Sequence, residues 1–164
     1  MTSGPYDPNA YGQPGGYPPP LPPTHGGQPG GLGVRLGARI IDGILISIIA
    51  VPLVFSVHGN GSILVTGLFS GLLTFIYYVA FEVTQGWTPG KKLLGLSVRG
   101  PHGAPKPTAK ESAIRNSFTL LPIIPFGGLL ALIAYIVIAV TINSSPTKQG
   151  KHDELAGGTQ VVKS

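Results

Sequence analysis

The sequence predicts an all-α membrane protein: a two-helix transmembrane hairpin, a third hydrophobic segment broken by Pro and Gly, and a disordered N-terminal tail. Three observations carry this. Of 164 residues 43% are hydrophobic, yet only 10% are charged, against roughly 25% in an ordinary soluble domain. Long apolar runs recur at membrane-spanning length. The first 31 residues, MTSGPYDPNAYGQPGGYPPPLPPTHGGQPGG, are mostly Pro and Gly.

The tail, taken as 1–33, has Leu21 as its lone branched aliphatic within residues 1–31. It cannot bury enough apolar surface to offset the entropy of ordering. Polyproline II is expected around Pro18–Pro23. The tail has neither the basic start nor the apolar stretch of a signal peptide. Overlapping PxxP in Pro19-Pro20-Leu21-Pro22-Pro23 makes a binder of proline motifs one candidate partner; a solvated spacer is the plainer reading.

A helix needs about 20 apolar residues to cross a bilayer core of roughly 30 Å. Spans are expected at about 36–57, 63–83 and 118–142. His58-Gly59-Asn60-Gly61-Ser62 joins the first two as a hairpin. That turn has no basic residue, whereas 86–117 holds six and the carboxyl end three more. By the positive-inside bias the N-terminus and central loop are expected in the cytoplasm of a plasma-membrane protein. Thr108 and Glu111 have capping-box spacing, so a helix is expected from Ala109. It would lie at the interface, with Ala113, Ile114, Ser117, Phe118 and Leu121 on its apolar side and Lys110, Glu111, Arg115, Asn116 and Thr119 on its polar side. Pro122, Pro125, Gly127 and Gly128 interrupt the third apolar block, which dips in and returns on one reading and crosses once on another. Residues 90–98 and 151–162 both run from charge through Leu and Gly to a β-prone end, a pattern that would let them pair as strands on one side.

Arg35, Arg39 and Asp42 share a helical stripe. Asp42 lies about 10 Å past Arg35 along the axis. The arginines can reach the headgroups; the short aspartate must be paired, protonated or turned to a wet cavity. Arg39 and Glu82 are the candidate charge partners, in a balanced cluster with Arg35 and Asp42. Span two also carries the polar row Thr66, Ser70, Thr74 and Tyr78. Gly67 and Gly71 form a GxxxG pair for close helix packing, expected to meet another subunit, since two helices cannot enclose a pore alone. The cluster reads either as architecture or as a path for an ion, a proton or a small charged ligand.

Arg35-Leu-Gly-Ala38-Arg-Ile-Ile41-Asp42, Gln85-Gly86-Trp87-Thr88-Pro89-Gly90-Lys91-Lys92-Leu93-Leu94-Gly95-Leu96-Ser97-Val98 and His152-Asp153-Glu154-Leu155-Ala156-Gly157-Gly158-Thr159-Gln160-Val161-Val162 resemble, in this order, three motifs of the RDD family. That family is named for one arginine and two aspartates. The resemblance covers 34–162, and with the tail the chain resembles the actinobacterial proline-rich antigen proteins. It implies a small multi-pass membrane protein, Arg35 as the family arginine, Asp42 and Asp153 as its aspartates, and transport as the usual suggestion. The paired Gly157-Gly158 departs from the single glycine usual there.

Other chemistry finds little support. Gly86-Trp87-Thr88-Pro89-Gly90-Lys91-Lys92 is one residue short of a phosphate loop and lacks its Ser/Thr; Lys91 and Lys92 read better as facing anionic lipid. Asn60-Gly61-Ser62 and Asn143-Ser144-Ser145 match the short glycosylation pattern with no secretory context. The four histidines show no ligand spacing, and His152 beside Asp153 reads as a loop pair. With no cysteine and no base placed near a serine, the expectation is a non-enzyme without cofactor or metal. Its partners would be the bilayer and a second copy or another membrane protein, with no nucleic acid. A membrane-anchored interaction protein using the proline-rich tail is the alternative.

Overall fold

The structure is a computed structural model and describes residues 27–57 and 63–164. Residues 1–26 with the PxxP and His25, and the turn at 58–62 with His58, lie outside the described residues; the last part of the expected disordered tail, 27–33, is instead ordered, against the carboxyl-terminal strand and in the first turn of the first helix. Among the described residues three helices are long and apolar enough to cross a membrane, Leu32–Ser56, Val65–Gln85 and Gly127–Ser144.

Helices α1 (Leu32–Val57) and α2 (Ile63–Gln85) form the expected hairpin. Their outward faces are apolar: Leu36, Ile40, Ile44, Ile48 and Phe55 of α1 are each more than half exposed. A surface of this kind suits lipid and not water. Between the helices pack Ile46, Ala50 and Tyr78, with Leu73 and Tyr77 at the margin.

The block after residue 108 folds back on itself. Thr108 caps α4 (Ala109–Asn116) in the expected capping box: its backbone N–H donates to Glu111 Oε2 at 2.8 Å, and Glu111 N–H returns to Thr108 Oγ1 at 3.4 Å. A 3₁₀ segment, Ser117–Ile123, comes next and contains Pro122. Phe126, at φ 60°, makes the reversal, and α5 (Gly127–Ser144) returns. The outgoing arm climbs along α2. Ser112 meets Glu82 near one end of that helix, and the carbonyls of Thr119 and Pro122 pass Gly71 and Gly67 near the other. The expected span over 118–142 is therefore two legs of a second hairpin, divided by the break at Pro122 to Phe126.

The packing corrects two expectations. The GxxxG pair is occupied within the chain, because a Cβ at Gly67 would collide with the Pro122 carbonyl. Helix α4 is also turned inside out relative to an interfacial helix. It buries Ser112, Arg115 and Asn116 and leaves Ile114 exposed. A polar side can face inward because what it meets there is charged.

The remaining elements close one end of the hairpins. Helix α3 (Pro89–Leu93) leads through Gly95, at φ 64°, into β1 (Leu96–Arg99). Helix α6 (Lys151–Leu155) leads through Gly157 and Gly158, at φ 85° and 89°, into β2 (Gln160–Lys163). The two helix–glycine–strand units pair antiparallel, with Leu96 opposite Lys163 and Arg99 opposite Gln160. Gln28 to Gly30 add to the free edge of β2, through Gly30 N–H to Val161 O at 2.9 Å and Lys163 N–H to Gln28 O at 2.8 Å. Leu96, Val98 and Val161 pack with Ala38 beneath this sheet. The start of α1, the end of α2 and the end of α5 thus gather at one end of the molecule. All 11 lysines and arginines fall there too.

Candidate functional site

Under the sheet, at the sheet end of the helices, lies a buried polar cluster. Asp42, Glu82, Ser112, Asn116, Asp153 and Thr159 are completely buried, and Arg35, Lys91, Arg115 and His152 are at most 8% exposed. Its members come from α1, α2, α3, α4 and α6, with Thr159 on the turn before β2. It divides into three centres.

Asp42 is held by neutral donors. Tyr77 donates its hydroxyl to Oδ1 at 2.7 Å, Thr88 its hydroxyl to Oδ2 at 2.5 Å, and Gly90 its backbone N–H to Oδ1 at 2.7 Å. The carboxylate pins α1 to α2 and to the first turn of α3, whose cap is Thr88. Gly90 has to be glycine in this packing. A Cβ there would meet both the Ala38 carbonyl and the Asp42 carboxyl.

Glu82 is the second centre. Lys91 Nζ lies 2.5 Å from Oε1, while Ser112 and Asn116 donate to Oε2, each at 2.9 Å. Burial pulls the Lys91 ammonium down to about 8, against the support of Glu82. A buried lysine without that carboxylate would shed its proton more readily still.

Asp153 is the third. Arg35 Nη1 donates to its Oδ2 at 2.9 Å and Gly150 N–H at 3.1 Å. His152 Nε2 stands 3.5 Å from Oδ1. Arg115 links this centre to the second, with Nε 2.9 Å from Asp153 Oδ1 and Nη1 3.7 Å from Glu82 Oε1. These two Arg115 contacts lack hydrogen-bond alignment and act through charge. Burial opposes the charge on Asp153, but Arg115 and Arg35 outweigh it and hold the carboxyl below its ordinary range. Arg35 is also tied to the sheet, donating from Nε to Gly30 O at 2.9 Å and from Nη2 to Val161 O at 3.2 Å.

Arg39 stands apart. Its Nη2 donates to Asn116 Oδ1 at 3.2 Å, and its guanidinium lies over the rings of Tyr78 and Phe118, 4.1 and 5.1 Å from their centroids. Among the described residues no carboxylate lies within 4 Å of it, and Nη1 is buried without a partner. It closes the sheet end of a groove of about 590 Å³ between α1 and α2, with Tyr135 of α5 beside it.

A family profile described as RDD family matches residues 29–157. The chain belongs to the RDD family. Comparison with curated proteins and with solved structures finds no significant match. Of the RDD residues carried over by motif, the fold brings Arg35 and Asp153 into direct contact, while Asp42 serves a separate centre. The expected grouping of Arg35, Arg39, Asp42 and Glu82 is not formed as a set of ion pairs. Asp42 has no cationic partner, Arg39 has no carboxylate, and Glu82 takes Lys91 and Arg115 instead. Lys91 is buried rather than turned to lipid, whereas Lys92 lies over the Trp87 ring. The RDD site also recruits Ser112, Asn116 and Arg115. Of these, Arg115 and Asn116 were expected on an outward polar face, and Ser112 carried no expectation. Their spacing of three and four residues was the available signal. Among the described residues no group of His, Asp and Glu is arranged to hold a metal ion.

Proposed function

We propose that this RDD protein is a multi-pass plasma-membrane transporter, or a subunit of one, for an ion, a proton or a small charged ligand, with its N-terminus in the cytoplasm. The supporting observation is a buried ion-pair cluster at one end of membrane-length helices, in which Arg39 alone lacks a carboxylate. Ionisable groups placed among membrane helices are costly and usually mark a solute path. Asp42 and Asp153 are saturated by their donors and act as struts; Arg39 is the group left for a solute. The basic residues gathered at the sheet end support the cytoplasmic orientation. A groove that opens sideways between two helices encloses no pore alone, so flux needs a second copy or a membrane partner. In proteoliposomes, Arg39→Gln is expected to cut solute flux at least about tenfold while the protein stays folded. Unchanged flux would end this reading.

A second reading has one observation in its favour. Gln28 to Gly30 run along β2, so the proline-rich tail leaves from a fixed point on the sheet side, as a docking arm of the proline-rich antigen type would. Deleting residues 1–26 should then abolish partner recovery and leave membrane insertion intact. Recovery that survives the deletion removes this role.

A further inference from the structure

The cluster at the sheet end carries four cations, Arg35, Arg39, Lys91 and Arg115, and three carboxylates, Asp42, Glu82 and Asp153. Arg39 and Asp42 are its two members with no ionic partner among the described residues. Arg35, Lys91 and Arg115 each contact a carboxylate; Arg39 does not. Its part-exposed guanidinium at the end of the groove invites an anion, because charge-assisted hydrogen bonds are the strong ones.

The way to that guanidinium is lined for hydrocarbon. The groove above Arg39 has about 590 Å³, within the roughly 300–1,000 Å³ of small-molecule sites. Gly43, Ser47 and Ala50 of α1 face Thr66, Ser70 and Thr74 of α2 across it. Ser47 and Ser70 turn their hydroxyls back onto the carbonyls of Ile44 and Thr66, at 2.8 and 2.6 Å, which leaves little but carbon toward the lumen. From Arg39 to Val54 the groove follows α1 for about 22 Å at 1.5 Å per residue. A leaflet's acyl chains fill about half of a ~30 Å core, so one full chain fits along it. Ile40, Val51 and Phe55 on the rim are each more than half exposed, so entry is sideways from the bilayer. At its end the guanidinium packs against Asn116, Tyr78 and Phe118, and beyond it lies a smaller cavity of about 80 Å³ lined by Arg35, Lys91, Arg115 and His152. A terminal anionic head can stop at Arg39 with one acyl chain filling the groove.

We infer that this groove binds a single-chain carboxylate amphiphile, a fatty acid, with its carboxylate on the Arg39 guanidinium and its chain between α1 and α2. The inference shares with the proposed function only the premise that Arg39 receives a ligand; it does not require transport.

The test is titration of the purified full chain in nanodiscs with a fluorescent polyene fatty acid. Saturable binding is expected, displaced by oleate and at least about tenfold less well by its methyl ester, since the ester lacks the charge. Arg39→Gln should weaken binding by a similar factor, and Ser70→Phe should block the groove without touching Arg39. Melting curves identify any variant that has unfolded, and Ser70→Phe then decides. Equal displacement by the methyl ester would overturn the inference. So would equal displacement by phosphatidylglycerol, or wild-type binding in a folded Ser70→Phe protein. Absence of binding together with a dimer that Ser70→Phe disrupts would assign the groove to a second copy instead. Binding without flux leaves this inference standing and removes transport; flux without fatty-acid binding does the reverse.

Discussion

At the scale of single residues, the chain resolves its buried charges in two different ways. Asp42 is surrounded by hydroxyl and amide donors, and Asp153 and Glu82 by cations. The two kinds of centre should fail differently. Asp42→Ala strands three donors, two of them on the residues that start α3. It is expected to lower stability by about 3 kcal/mol, and Asp42→Asn, which keeps an acceptor, by about 1 kcal/mol; thermal unfolding in detergent measures both. His152 gives a pH signature. Burial, reinforced by Arg115, Arg39 and Arg35 and opposed by Asp153, pushes its imidazole down to about 3. The unfolded chain takes up that proton first, near an ordinary value of about 6.5. Stability is therefore expected to fall as pH drops from 6.5 toward 3. Asp153, whose folded value is depressed, adds to the loss at the acid end. His152→Gln should flatten the upper part of this decline, read as denaturation midpoint against pH. The stripe of Arg35, Arg39 and Asp42 was legible in the sequence because helical spacing places those residues. Their partners were not. Asp153 lies 118 positions from Arg35, and no local periodicity encodes such a contact.

At the scale of elements, legibility followed the same divide. Apolar length identified α1 and α2, the Thr108–Glu111 box fixed the start of α4, and Pro122 with the glycines after it marked the break. The shared charge–Leu–Gly–β pattern brought β1 and β2 together. What the pattern could not give was which face of α4 turns inward. Amphipathicity tells the two sides of a helix apart, and in water the apolar side is buried; against lipid and a charged interior that rule inverts. The tight pairing of α2 with the 3₁₀ segment has a test. A side chain at Gly67 must push against the Pro122 carbonyl. Gly67→Leu is expected to cost about 1–3 kcal/mol through overpacking, and Gly128→Leu, where nothing lies within 4 Å of an added Cβ, much less. Equal melting temperatures for the two would contradict the packing described.

At the scale of the whole molecule, two helical hairpins stand on a polar base that a small sheet seals. Apolar side chains face out and ion pairs face in, so specificity rests on buried charge more than on a hydrophobic core. Because Gln28 and Ser164 both bond around the sheet, cysteines placed at these two positions are expected to react with an impermeant thiol reagent from the same side of the membrane. Labelling from opposite sides would break the topology. The 118-residue separation between Arg35 and Asp153 also has a consequence for synthesis. Helix α1 enters the membrane with a guanidinium whose counter-ion has not yet been translated. Until α6 arrives, the nascent chain carries an unneutralised charge at the base of its first helix. Completion of the ion pair is thus a late step of folding, open only once the chain has been made as far as Asp153.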